Sequence, residues 1–199
     1  MLSLKSVNLS LKIASHKLSA HCSVKKVFGF AGWSGSGKTT LIEQVISHLA
    51  TVGVRVSLIK HAHHQFDVDQ PGKDSHRHRL AGASEVLISS ANRWALMHEL
   101  RGAQELSLAE LVSQVSCCDL VLVEGFKLEP IAKLEIWRAT LGKPLLFPTD
   151  PNILALATDD PLPGSLREPG LPCFGLSAVA QIAEFVMQHA QAMADTPKM

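Results

Sequence analysis

Strands alternate with helices along this chain, and a glycine-rich turn sits between the first strand and the first helix; together these predict an α/β fold with helices on both faces of a mostly parallel sheet. A third observation agrees. Asp119-Leu-Val-Leu-Val-Glu124 is continuously apolar between its two acids, the pattern of a strand buried on both faces. With 199 residues the chain is long enough for one domain with a full core. The expected organisation is an N-terminal extension over residues 1–24, frayed or disordered, followed by a single domain over residues 25–199.

The elements follow in order. Val27-Phe-Gly-Phe-Ala31 is a short apolar strand, and the turn after it leads into a helix from Thr39 to Leu49, with Leu41, Ile42, Val45, Ile46 and Leu49 at helical spacing. Gly53 is placed to close that helix, and Arg55 to Lys60 forms the second strand. A polar, histidine-rich stretch runs to about Arg79. Glu85–Ser89 and Arg93–Met97 then read as two strands around a tight turn. Ser107 followed by Glu110 forms a capping box, and Leu108, Leu111, Val112 and Val115 supply the buried face of the helix it opens. After the strand ending at Glu124 come strands at Leu134–Trp137 and Ile153–Ala157. Seven of the ten prolines lie between Pro144 and Pro172, which makes that region loop-rich. A last helix, capped by Ser177, carries Val179, Ile182, Ala183, Val186 and Met187 on one face. The aromatic residues Trp94, Phe126 and Trp137 lie in or beside strands and are expected to fill the core.

Composition excludes several roles. Nineteen basic against eighteen acidic residues leave a net charge of +1, which argues against broad binding to nucleic acid or to an anionic membrane surface. No uninterrupted apolar stretch approaches the roughly 20 residues of a membrane span. Lys5 and Lys12 break up the apolar residues of the extension, so a secretory signal is not expected, although a short targeting extension stays open. Cys22, Cys117, Cys118 and Cys173 contain no C-x-x-C pair and read as reduced, partly buried thiols in a cytoplasmic protein.

Gly32-Trp33-Ser34-Gly35-Ser36-Gly37-Lys38-Thr39 fits the phosphate-loop pattern G-x-x-x-x-G-K-[ST] at every fixed position, between a strand and a helix as the motif requires. Its glycines let backbone N–H groups approach a polyphosphate, and the helix N-terminus adds attraction for anions. Lys38 is expected to reach the β- and γ-phosphates, the Thr39 hydroxyl to hold Mg²⁺, and Thr40 to add a hydroxyl at the α-phosphate. This predicts a nucleoside triphosphate on a P-loop NTPase-like domain without naming the base. The metal's carboxylate is a choice between Asp119 and Glu124. Ligands bind at the carboxyl ends of strands in open α/β sheets, and five residues at about 3.3 Å each put the two acids roughly 16 Å apart. Glu124 is therefore the candidate and Asp119 belongs at the far side.

Five of the ten histidines (His61, His63, His64, His76 and His78) lie among acids and bases between Lys60 and Arg79. Three readings stay open. Asp67 or Asp69 positions water or Mg²⁺ while Lys73, Arg77 or Arg79 neutralises phosphate charge; the histidines hold a transition metal; or the stretch is a solvated loop and helix start.

These blocks resemble one family. Phe28 to Thr40, Lys60-His-Ala-His-His64, Phe66-Asp-Val-Asp-Gln-Pro-Gly-Lys-Asp-Ser-His-Arg-His-Arg79, Ala81-Gly-Ala83 and Leu122-Val-Glu-Gly-Phe-Lys127 are similar to the molybdopterin-guanine dinucleotide biosynthesis adaptor family, MobB, from about residue 26 to at least residue 138. The central block is more specific than the phosphate loop. The resemblance implies a GTP-binding homodimer with at most weak GTPase activity, which assists the molybdenum cofactor guanylyltransferase that attaches GMP to Mo-molybdopterin. It also implies that residues 32–40 bind phosphates, that Glu124 is the acidic position, and that the 60–79 block is a surface for nucleotide, molybdopterin or its guanine dinucleotide. This chain departs from the family by beginning roughly 24 residues before the first strand. A P-loop small-molecule kinase or ligase, and a GTP-dependent metal chaperone using the histidines, are the alternatives. Weak hydrolysis is also expected physically, because no clear water-positioning Gln or arginine finger in cis is evident.

Overall fold

A computed structural model describes residues 24–62, 66–162 and 170–194. The extension up to residue 23, with Cys22, and the two histidines His63 and His64 lie outside the described residues. In chain order the elements are β1 (Val24–Ala31), α1 (Lys38–Thr51), β2 (Val56–Lys60), α2 (Asp74–Leu80), β3 (Glu85–Ser89), β4 (Trp94–His98), α3 (Leu108–Gln114), β5 (Leu120–Glu124), β6 (Lys133–Ile136), β7 (Ile153–Ala157), β8 (Cys173–Phe174), α4 (Val179–His189) and β9 (Gln191–Ala194).

Parallel strands in the order β2-β5-β1-β6-β7-β8 form the main sheet. Their carboxyl ends share one edge, so the loops after β1, β2, β5, β6, β7 and β8 emerge together there. β1 is long enough to serve two neighbours on one side. Its first half pairs antiparallel with β9, Val24 opposite Ala194 and Val27 opposite Gln191, and its second half pairs with β6, Gly29 opposite Lys133.

The period of two along β5 distributes the core. Leu120 and Leu122 pack with Leu41, Ile42, Val45 and Leu49 of α1 and with Ile182 and Val186 of α4. Val121 and Val123 face the other way, onto Leu108 and Val112 of α3. Helices thus cover both faces, and each fully buried aliphatic side chain contributes about 1.5–3 kcal/mol. Local signals set the helix ends as the sequence predicts. Past α1, Gly53 N–H reaches Ala50 O (3.1 Å) and Val54 N–H reaches Leu49 O (3.0 Å), the paired bonds of a Schellman closure. At α3, Ser107 Oγ accepts from Glu110 N–H (3.3 Å) while Ser107 N–H donates to Glu110 Oε2 (2.8 Å).

Two expectations need correction, the cap of α4 and the burial of Trp94. Ser177 does not cap α4: the N-cap residue is Ala178, which makes no side-chain capping bond. β3 and β4 pair only with each other, Leu87 opposite Leu96 and Ser89 opposite Trp94, as a two-stranded sheet apart from the main one. Trp94 consequently lies outside the core, 65% exposed, because the hairpin is not part of the main sheet. Trp137 is buried beside Leu145, Phe147 and Ile153, beneath the proline-rich loop, and donates its indole N–H to Lys143 O (2.9 Å). Phe126 packs against the α3 face.

No helix among the described residues is long and apolar enough to cross a membrane. Of the cysteines expected to be partly buried, Cys118 is buried, whereas Cys117 and Cys173 are exposed.

Candidate functional site

The phosphate loop curls at the end of β1, and its backbone could not be built from ordinary residues. Gly32 has φ +143°, and a Cβ there would overlap the carbonyl of Ile136 and lie 2.9 Å from Ser36 Oγ. Gly37, at φ +95°, is the N-cap of α1 and turns the chain so that the first N–H groups of the helix face the loop. Inside the curl, Lys38 Nζ donates to Gly32 O (2.9 Å) and Trp33 O (2.8 Å). Ser36 Oγ is buried with no hydrogen-bond partner among the described residues, an orphan polar atom within the glycine-rich loop.

A cleft of about 370 Å³ opens over this loop, lined by Ser34, Gly35, Gly37, Lys38, Thr39, Thr40, Lys60 and Glu124. Glu124, the last residue of β5, is buried. Its Oε1 accepts from Thr39 Oγ1 (3.4 Å) and its Oε2 faces Lys60 Nζ (3.4 Å). A hydroxyl and a carboxylate brought together in this way are hard oxygen donors of the kind Mg²⁺ takes, so these two residues fit that ion. Asp119 sits at the opposite end of β5, as the strand length requires, paired with Arg55 (3.1 Å).

The cleft has an excess of positive charge. The Lys38 ammonium is held below its ordinary pKa chiefly by burial; Glu124 opposes that shift, and Lys127 and Lys60 add to it. An anion relieves that crowding. Lys127 also lies over the Trp33 ring (4.6 Å to its centroid), with Lys143 at 5.7 Å, and the Trp33 indole donates to Pro144 O (2.8 Å). Trp33 therefore anchors the loop from outside while its carbonyl holds Lys38.

The other residues singled out in the sequence lie elsewhere. Asp67, Lys73, Arg77 and Arg79 do not line the cleft. Arg79 donates to both oxygens of Asp67 (2.8 Å), to Glu99 Oε1 (2.7 Å) and to Asp69 Oδ2 (3.4 Å), which ties the 66–70 loop, α2 and the end of the hairpin together. These carboxylates hold the Arg79 pKa well above its ordinary value, Glu99 most of all. Lys73 is the N-cap residue of α2, and Arg77 is exposed, 3.9 Å from Asp74. His61 lies beside Glu124 in the chain fold: its N–H donates to Glu124 O (2.9 Å), its ring packs on Phe126 and its Nε2 meets Glu105 Oε1 (2.9 Å). Among the described residues no three of His, Cys, Asp and Glu form a metal-binding group.

Lys127 and Arg138 were not singled out as site residues, and Lys60 only as the start of the 60–79 block. Arg138 follows β6, donates its Nε to Ser36 O (3.1 Å) and comes within 3.6 Å of where a Cβ on Gly37 would lie. Only the sheet order, which places β6 beside β1, brings it to the loop.

Comparison with known proteins agrees with this geometry. The family model for MobB, molybdopterin guanine dinucleotide synthesis protein B, matches residues 27–159. The molybdopterin-guanine dinucleotide biosynthesis adapter protein of Escherichia coli (strain K12) is 42% identical over 168 residues, covering 83% of this chain and 93% of that protein. Its counterpart from Haemophilus influenzae is 43% identical over 162 residues, covering 80% and 86%. Among solved structures, a crystal structure of molybdopterin-guanine biosynthesis protein B superposes with a TM-score of 0.62 at 25% identity over 81% of this chain and 98% of that one. Bacillus subtilis MobB shares the fold, with a TM-score of 0.64 at 24% identity over 83% of this chain and 98% of that one. Phosphate loop, buried strand-end carboxylate and sheet order thus coincide with the matched region, and the chain belongs to the MobB family.

Proposed function

We propose that this chain binds GTP with Mg²⁺ in the cleft over residues 32–40, hydrolyses it weakly at most, and acts as an accessory protein in molybdopterin guanine dinucleotide synthesis. The observation that carries the reading is the convergence of Lys38, Thr39 and Glu124 on one cleft over the glycine-rich loop. The loop amides and Lys38 bind the phosphates, with Lys38 exchanging its two carbonyl partners for phosphate oxygens. Thr39 and Glu124 hold the metal, which when bound neutralises charge on the terminal phosphates. Lys60 pairs with Glu124 and adds a cation at the same end. Weak hydrolysis is the expected activity, since among the described residues no glutamine lines this cleft to position water.

The relatives are named as adapter proteins of this pathway, which supports a guanylyltransferase as the protein partner and a cytoplasmic location. A homodimer is part of the same reading. Leu87, Leu96 and Trp94 share one face of the β3–β4 hairpin and are exposed. Isolated two-stranded sheets are marginal in water, so covering by a second copy stabilises this one.

Calorimetric titration with GTP and Mg²⁺ tests the nucleotide site. Lys38→Ala is expected to weaken binding roughly hundredfold, since charge-assisted hydrogen bonds contribute about 1.5–3 kcal/mol each, without lowering the melting temperature. Unchanged affinity would sink the assignment.

A further inference from the structure

We infer that a second cleft beside the phosphate loop takes the nucleobase, and that the Asp159 carboxylate selects guanine there; this rests on the nucleotide reading above and deepens it. The cleft has a volume of about 250 Å³ and lies at the carboxyl ends of β6, β7 and β8, on the same sheet edge as the loop. Gly37 and Thr40 line both clefts. Lys38, Thr39 and Glu124 mark the terminal-phosphate end in the first cleft. A triphosphate lying along the start of α1 therefore leaves that cleft at Thr40, with its ribose and base entering the second.

The second cleft is built for a planar, hydrogen-bonding group. Leu41 and Leu176 give apolar walls, and the Arg138 guanidinium offers a plane on which a purine stacks. Asp159 is held in place: its Oδ1 accepts Leu176 N–H (2.8 Å), and among the described residues its Oδ2 takes no hydrogen bond. The neighbouring Asp160 accepts Ala139 N–H at Oδ2 (2.8 Å), which fastens the β7 loop to the turn after β6. Asp159 and Ser177 both line this cleft, so a carboxylate and a hydroxyl face the same space. Ser177, which does not cap α4, is thus placed to donate to a base. Guanine presents an acceptor at O6 beside donors at N1 and N2, which matches a hydroxyl beside a carboxylate. Adenine presents an acceptor at N1, which a carboxylate repels.

The Asp159→Asn variant separates this inference from the reading beneath it. Asparagine keeps an Oδ1 acceptor for Leu176, so the loop is preserved, but its amide N–H₂ donates where the carboxylate accepted. Affinities of GTP, ATP and xanthosine triphosphate, each with Mg²⁺, are measured for both proteins, together with inorganic tripolyphosphate. The wild-type protein is expected to prefer GTP by tenfold or more, the range of a paired base contact. The variant is expected to prefer xanthosine triphosphate, which carries a carbonyl in place of the guanine amino group, with tripolyphosphate affinity unchanged. The same base ranking in both proteins, or no base preference in the wild type, overturns the role of Asp159. Failure of the wild type to bind tripolyphosphate or any nucleotide overturns the phosphate-site reading as well.

Discussion

Lys133 and Asp150 form an ion pair of 2.6 Å in which the Lys133 side chain is almost wholly buried, between β6 and the loop that precedes β7. Burial pushes the Asp150 carboxyl up, but hydrogen bonds from Lys133 and Asn152 outweigh it and hold the group below its ordinary 3.8. A depressed carboxyl stabilises the fold above its unfolded pKa and loses that contribution as pH falls through the folded value. Asp150→Asn is therefore expected to cost about 3 kcal/mol at pH 7, and its deficit against the wild type to shrink as pH falls below 3.8. Urea unfolding of both proteins across that range checks it, and a deficit constant with pH would refute it. Glu135 is coupled to the pair: burial raises its carboxyl against amide bonds from Leu146 and Phe147, and the Asp150 charge adds to that rise. Neither Lys133 nor Glu135 was legible as a buried residue, since such side chains are seldom interior and their partners lie in the proline-rich loop. Lys38, Thr39 and Glu124 were legible, because a local motif and the direction of one strand determine where they go.

At the scale of elements, what is encoded locally was read correctly: the loop between β1 and α1, the Schellman closure at Gly53 and the capping box at Ser107. What depends on distant partners was not. β9 lacks the alternation of a strand and is held by β1 and by Gln191, whose Oε1 accepts Ala132 N–H (3.1 Å). The β3–β4 hairpin reads as two ordinary strands, yet its pairing leaves Leu87, Leu96 and Trp94 on an exposed face. Arg79, read as a phosphate ligand, is held instead by three acids of that neighbourhood. If a second copy covers the hairpin, Leu87→Lys shifts the solution mass from dimer toward monomer at micromolar concentration. A light-scattering mass unchanged by that substitution, or a wild-type protein monomeric throughout, would remove the hairpin from the interface.

For the whole molecule, strand order is the feature that makes the site. Placing β5 and β2 on one side of β1 brings Glu124 and Lys60 to the phosphate loop, and placing β6 and β7 on the other brings Arg138 and Asp159. The near-neutral net charge conceals this division, since Lys38, Lys60 and Lys127 gather at the glycine-rich loop. A crystal structure of the chain with Mg²⁺ and a non-hydrolysable GTP analogue tests the account most directly. It should show the triphosphate inside residues 32–40 with Lys38 on the β- and γ-phosphates, the metal at Thr39 and Glu124, and the base on the Arg138 and Asp159 side. Nucleotide bound away from this loop, or a metal held without either Thr39 or Glu124, would contradict it.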